Sequence, residues 1–239
     1  MPDTQVHEPA GHRREHASLS AAQEKRVLIW IARRLPLRVS SDHLSMLGLL
    51  AMAAAGACFA ALRVSPWWAA GVVAALAVNW FGDSLDGTVA RVRGQQRPRY
   101  GFYVDHIIDI AGTTMLLGGI ACSGIMSPLL AIGVLAAYLL VAAEAYLATH
   151  ASGVFRLSFM GIGPTELRVI LAVGAIRVAT RPFVPMPAFD ETRLFDVGGL
   201  VAMVGLGAAF VVSSLRNTVA LYRSDPTPNA PATRRLGER

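Results

Sequence analysis

IAGTTMLLGGIACSGIMSPLLAIGVLAAYLLVAA, residues 110–143, runs for 34 positions without an aspartate, glutamate, lysine or arginine. About 20 apolar residues cross a bilayer, so this run is long enough for two spans. Ser123-Gly124 and Ser127-Pro128 interrupt its middle, and two helices joined by a tight turn account for it. The first of these would begin near Tyr100 and the second end near His150. Residues 44–62, 64–82 and 197–215 are each free of charge for 19 positions and add three spans. One more lies between residues 165 and 185, where Glu166, Arg168, Arg177 and Arg181 interrupt the apolar pattern. The sequence therefore predicts an all-α integral membrane protein, a bundle of six transmembrane helices.

The composition agrees. Of 239 residues only 16% are charged and 54% are hydrophobic, whereas soluble domains carry about 25% charged residues. With a mean hydropathy of +0.46, this argues against a water-soluble globule and against disorder. Cys58 and Cys122 sit inside apolar runs without CxxC or Cys/His spacing, so neither a disulfide scaffold nor a zinc site is indicated.

A net charge of +6 invites a nucleic-acid reading until the basic residues are placed on the six spans. Of the 22 lysines and arginines, only Arg63, Arg177, Arg181 and Arg193 fall on one side. The other 18 fall on the side of both termini, which the positive-inside rule makes cytoplasmic. Topology absorbs the charge, and no nucleic acid is expected as a partner.

Residues 1–43 are not a signal peptide, because no apolar core follows a short basic start. They read as a cytoplasmic segment. Within it, residues 20–35 mix Lys25, Arg26, Arg33 and Arg34 with Val27, Leu28, Trp30, Ile31 and Leu35. That pattern suits an amphipathic helix lying in the interface, its basic side towards anionic headgroups. Residues 44–219 form the membrane domain. Residues 220–239, with Pro226, Pro228 and Pro231, read as a disordered cytoplasmic tail.

One segment breaks the apolar pattern. Asp83-Ser-Leu-Asp86-Gly87-Thr-Val-Ala90-Arg91 is followed, nine residues on, by Gly101-Phe-Tyr-Val-Asp105-His-Ile-Ile-Asp109. Ionisable groups within spans are costly and usually functional. Asp83 and Asp86 are spaced i,i+3, and Asp105 and Asp109 i,i+4, so each pair shares a helix face. The second span descends to the cytoplasm and the third climbs back. That sets Asp83 level with Asp109 and Asp86 level with Asp105. Four converging carboxylates repel one another unless cations neutralise them. Arginines could pair with one or two, but four in register point to two divalent ions. All-oxygen ligation favours Mg²⁺, Mn²⁺ or Ca²⁺ over Zn²⁺. Gly87 and Ala90 leave a helix face bare, with Arg91 and Gly101 bordering it. Carboxylates, metal and small residues together suggest phosphoryl transfer from a nucleotide diphosphate.

This segment resembles the signature of the CDP-alcohol phosphatidyltransferase family, D-x2-D-G-x2-A-R-x8-G-x3-D-x3-D. All eight fixed positions are present, with nine rather than eight residues between Arg91 and Gly101. Ser41-Asp42-His43-Leu44-Ser45 is similar to a weakened form of the family's Pro-Asn-x-x-Thr approach to the first span. The resemblance implies a homodimeric six-helix enzyme of phospholipid biosynthesis in the cell inner membrane, with its site open to the cytoplasm. It implies two divalent ions, Mg²⁺ or Mn²⁺, on Asp83, Asp86, Asp105 and Asp109. The CDP portion of a CDP-linked donor would lie against Gly87, Ala90, Arg91 and Gly101. Asp109 would be the general base that takes the proton of a lipid or alcohol acceptor hydroxyl, CMP leaving.

The acceptor is read from basic residues. A phosphorylated acceptor in a membrane cavity must be paired. Family members that use inositol phosphate carry arginines on the fourth span, and Tyr146-Leu-Ala-Thr149-His150 has neither. Arg156 and Arg168 remain as candidates. Asp105-His106, Gly153 and Gly163-Pro164-Thr165-Glu166 are similar to segments of choline and ethanolamine phosphotransferases, so an unphosphorylated acceptor is expected. Transfer from CDP-diacylglycerol to inositol phosphate or glycerol phosphate is the alternative. Glu144, inside the fourth span, either attracts a cationic headgroup or is structural.

Two other classes compete. A cation transporter wants its acids through the membrane depth or at its midplane, whereas these gather at one end. A non-catalytic scaffold would be free to lose Asp109, and the acidic set is intact.

Overall fold

The computed structural model describes residues 19–152, 164–181, 183–186 and 189–225. The chain runs α1 (Leu19–Arg34), α2 (Ser41–Ala61), α3 (Trp68–Val92), α4 (Pro98–Ser123), α5 (Pro128–Ser152), α6 (Pro164–Thr180), β1 (Phe183–Met186), β2 (Phe189–Arg193) and α7 (Leu194–Ser224). Among the described residues it is nearly all helical. The short antiparallel hairpin β1–β2, with Phe183 opposite Arg193, is an addition to the all-α expectation.

Local chemistry sets the boundaries. Ser40 caps α2, its hydroxyl accepting from the His43 amide at 3.2 Å while His43 Nδ1 accepts from the Ser40 amide at 3.1 Å. That reciprocal box satisfies two amide donors the helix leaves open. The 34-residue apolar run divides where expected. Gly124 ends α4 in the left-handed region at φ 76°, which glycine adopts without a Cβ clash. Pro128 then opens α5, where its missing N–H costs nothing.

Helices α2, α3, α4, α5 and α7 are long and apolar enough to cross a membrane, so this is an integral membrane protein. At 17 residues, α6 is shorter, about 25 Å at 1.5 Å per residue. Among the described residues there are thus five such helices where six were expected. Helix α7 runs to Ser224, five residues into the segment read as tail. The rest of that tail, 226–239, lies outside the described residues, as do residues 1–18.

Helix α2 is the hub. It packs along both α3 and α4, while α4 meets α5, α5 meets α7, and α3 meets α6. The two acid-bearing helices, α3 and α4, barely touch each other's backbones. Glycines let α2 come close. A Cβ on Gly82 would stand 2.7 Å from the Leu44 carbonyl oxygen and 2.9 Å from the Gly48 nitrogen. A Cβ on Gly119 of α4 would collide with the Gly56 backbone. Such small-residue contacts are how helices associate in lipid, where tails compete with any apolar surface.

Two cores result. The larger gathers Phe59, Val72, Leu76, Leu116, Ile120, Ala175 and Phe195. The smaller, at the other end of α3, gathers Leu28 and Ala32 of α1 with Leu44, Leu85 and Val89. It seats α1 against the inner end of α3. The apolar face of α1 is thus divided, since Leu28 and Ala32 are buried while Val27 and Trp30 are exposed.

Candidate active site

The charge-free stretch 64–82 ends at Gly82, but α3 does not. It continues through Asp83, Asp86, Gly87, Ala90 and Arg91 to Val92, so its last turns carry the acids on a rigid helix. Helix α4 opens at Pro98 and carries Gly101, Asp105 and Asp109 in its first turns. One cleft collects the carboxylates. Asp83, Asp86, Asp105 and Asp109 line it together with Ser45 and Gly48 of α2, Asn79 of α3 and Ile108. The acids were expected to meet across a hairpin. Instead α2 forms the floor between α3 and α4, and its close approach at Gly48–Gly82 brings it within bonding reach of the acids.

Ser45 and Asn79, read without a site role at the sequence level, belong here, and Arg168 joins them. Ser45 Oγ donates to Asp86 Oδ2 at 2.7 Å, and the Gly87 amide donates to Asp86 Oδ1 at 2.5 Å, so both oxygens of Asp86 are held. Asn79 donates to the Gly48 carbonyl at 2.9 Å and accepts from Arg168 Nε at 2.7 Å. Arg168 Nη2 then pairs with Asp83 Oδ2 at 2.6 Å, its side chain only 15% exposed. Arg168 stood as a candidate to pair a phosphorylated acceptor; it is an internal counter-ion to one carboxylate. The signal was present, because Asn79, Asp83 and Asp86 recur at i, i+4 and i+7 on one face.

The remaining expected residues divide. Arg91 turns back along its own helix, Nη2 donating to Thr88 Oγ1 at 3.0 Å, and Nη1 lies 3.2 Å from where a Gly87 Cβ would be. A larger residue at 87 would meet that guanidinium. Ala90 is half-buried, and Gly101 is exposed with open space where a Cβ would be. Arg97 chelates Asp42 with Nη2 at 2.6 and 2.7 Å from its oxygens. That bond raises the Arg97 guanidinium above its ordinary value.

Glu144 lies away from the cleft. Ser213 Oγ and Asn217 Nδ2 of α7 each donate to one of its oxygens at 2.7 Å, which makes it a tie between α5 and α7. His106 Nδ1 lies 2.6 Å from the Phe102 carbonyl oxygen, and its ring meets Tyr146 edge-on at 5.1 Å. His150 and Glu166 are exposed. Gly153, Arg156 and Gly163 lie outside the described residues.

The donor set is all oxygen, four carboxylates, and Arg168 is in contact with one of them. That chemistry fits a hard divalent cation. Among the described residues no three acidic, histidine or cysteine side chains are already drawn into a ligand cluster. Asp83 in particular is engaged by Arg168.

Comparison with known proteins follows this geometry. A family model described as CDP-alcohol phosphatidyltransferase matches residues 41–211. No curated protein matches the sequence. Among solved structures, the fold is similar to Mycobacterium tuberculosis phosphatidylinositol phosphate synthase (PgsA1) with CDP-DAG bound. The TM-score is 0.55 at 23% identity, over 82% of this chain and 94% of that one. The same synthase in complex with manganese and citrate matches with the same score and identity, over 82% of this chain and 88% of that one. With the matched region running from the cap of α2 into α7 and enclosing the whole acidic cleft, the chain belongs to the CDP-alcohol phosphatidyltransferase family and is a membrane-embedded phosphatidyltransferase.

Proposed function

We propose that the chain transfers a phospho-alcohol or phosphatidyl group from a CDP-linked donor to an unphosphorylated acceptor hydroxyl, releasing CMP. The observation that carries this reading is the convergence of four carboxylates on one cleft. Asp83, Asp86, Asp105 and Asp109 would hold two divalent ions, Mg²⁺ or Mn²⁺, whose chemistry is to neutralise the donor's diphosphate and the departing CMP. Gly87, Ala90, Arg91 and Gly101 bind and orient the CDP portion. Arg91 already covers Gly87, which suits a guanidinium that closes over a nucleotide. Ser45 and the Gly87 amide fix Asp86, so that carboxylate does not turn during the reaction. Asp109 is exposed and takes the acceptor hydroxyl's proton. The hydroxyl oxygen bonds to the phosphorus distal to cytidine as the bond to CMP breaks.

The acceptor follows from charge. Among the described residues, Arg168 contacts the cleft carboxylates, and Asp83 and Asn79 occupy it. A phosphate there would have to displace a carboxylate. Glu144 gives no support to a cationic headgroup, since α7 holds it. A second reading keeps CDP-diacylglycerol as donor and a phosphorylated polyol as acceptor. It is favoured by the position of Arg168, which a phosphate could draw from Asp83, and the PgsA1 structure carries CDP-DAG.

Six spans with both termini cytoplasmic remain the topology we favour. Helix α6 supports it by reaching from Arg168 beside Asp83 to Ala175 and Val178 in the core at the opposite end. The inner-membrane location and a homodimer rest on the family resemblance. Purified protein given CDP-diacylglycerol, CDP-choline or CDP-ethanolamine with diacylglycerol, inositol, inositol phosphate or glycerol phosphate tests the reading through CMP release. Release that requires a phosphorylated acceptor selects the second reading, and no release with any pair removes both.

A further inference from the structure

Helix α1 has two working faces. Leu28 and Ala32 are buried against Leu85 and Val89 of α3. On the outside, Lys25, Arg26, Arg33 and Arg34 are exposed beside Val27 and Trp30, which are 53% and 56% exposed, and just past the helix end Leu37 and Arg38 are exposed too. Arg34 stacks over the Trp30 ring at 3.8 Å. Five cations interleaved with a tryptophan and two aliphatic side chains fit a surface that is anionic outside and oily beneath, which is an acidic phospholipid leaflet.

A second observation ties this face to the site. Arg93, at the end of α3, reaches back to the chain joining α1 to α2. Its Nη1 donates to the Val39 carbonyl at 2.5 Å, and its Nη2 to the Leu35 and Pro36 carbonyls at 2.9 and 3.1 Å. The three carbonyls lie at the end of α1 and just before the Ser40 cap of α2. Five residues beyond that cap, Ser45 holds Asp86. Lysine has no planar fork with which to bridge these carbonyls.

We propose that α1 is a lipid-responsive brace: its exposed cationic ridge docks on anionic headgroups, and Arg93 is the positioning residue through which that docking steadies the inner end of α3. This rests on the proposed function only in naming α3 as part of the active site. Anionic lipid, by holding α1, then restricts the α1–α2 connection and the α3 end together. Neutral lipid leaves both looser. Each cation near an anionic leaflet contributes roughly a fivefold change in partition, so several acting together suffice to bias a local opening.

The test is hydrogen exchange on the full chain in nanodiscs of phosphatidylcholine alone or with phosphatidylglycerol. In the wild type, phosphatidylglycerol should slow exchange on the order of tenfold in residues 25–45 and in 86–97. Replacing Lys25, Arg26, Arg33 and Arg34 together by Gln should abolish the slowing in both segments. Arg93→Lys, which keeps the charge, should retain it in residues 25–34 and lose it in 86–97. A lipid-independent wild type overturns the proposal, and so does an Arg93→Lys variant that still protects 86–97. CMP release from the same nanodiscs separates this outcome from failure of the catalytic reading, because exchange is measured without substrate.

Discussion

Replacing Arg168 by glutamine should destabilise the metal-free protein and tighten its hold on divalent ions. The guanidinium makes two short bonds, 2.6 Å to Asp83 and 2.7 Å to Asn79. Hydrogen bonds to charged groups contribute roughly 1.5–3 kcal/mol each, and orphaning one partner of a buried ion pair costs about 3–5 kcal/mol. Asp83 is 33% exposed on its side chain, so water relieves part of that, and a glutamine still reaches Asn79. About 2–3 kcal/mol of lost stability is expected in chelator. For a divalent ion the sign reverses. A unit positive charge ~7 Å from a doubly charged ion, at an effective dielectric of about 30, repels it by roughly 3 kcal/mol before salt screening. Its removal should tighten Mn²⁺ binding on the order of ten- to a hundredfold. Thermal unfolding in detergent with EDTA, and again across a Mn²⁺ titration, reads both effects. Wild type and variant should therefore converge or cross as Mn²⁺ rises. A variant as stable as wild type in EDTA, with an unchanged Mn²⁺ response, refutes the counter-ion role of Arg168.

Activity should vanish in excess EDTA and return with Mg²⁺ or Mn²⁺; CMP release that persists in chelator removes the metal from the mechanism. Asp109→Asn should lower turnover about 10²–10⁴-fold while donor affinity falls modestly, whereas Asp83→Asn should weaken both, as donor-binding and single-turnover measurements will report. Gly82→Ala should cost about 1–3 kcal/mol by overpacking, since its Cβ would stand 2.7 Å from the Leu44 carbonyl; an unchanged melting temperature argues against the tight α2–α3 crossing. A reporter fused after Arg239 should be cytoplasmic, and a reporter active only on the far side overturns the six-span topology.

Long apolar runs and their breaks were plain in the sequence because lipid imposes one rule on every residue of a span. Residues 110–143 and the turn at Gly124 followed directly from that. The acids of α3 and α4 were legible too, since i,i+3 and i,i+4 spacing puts each pair on a face whatever surrounds it. Long-range pairing was not. Charge along α6 marked Arg168 as an anomaly but could not say that it meets Asp83, 85 positions away. Ser45 stood in the quoted approach to the first span, yet its bond to Asp86 depends on two glycines, 48 and 82, that let the backbones close. The hairpin β1–β2 escaped because its strands are only 4 and 5 residues long, and Pro185 argues against a strand. The six-span count turns on α6, whose Arg168 serves the cleft rather than a lipid-facing surface.

The Arg168–Asp83 pair also bears on how the chain is made. A ribosome adding about 5–20 residues per second needs roughly 4–17 seconds to synthesise the 85 positions between the acid and its counter-ion. Asp83 therefore emerges ahead of Arg168 and waits for that partner, while α2, made just before α3, is already present. The Gly48–Gly82 contact and the Ser45–Asp86 bond are therefore the ones available to shelter the acidic turns during insertion. Nascent chains arrested before residue 168 should hold an assembled α2–α3 pair with an open charge, the state in which quality-control proteases would find this protein most vulnerable.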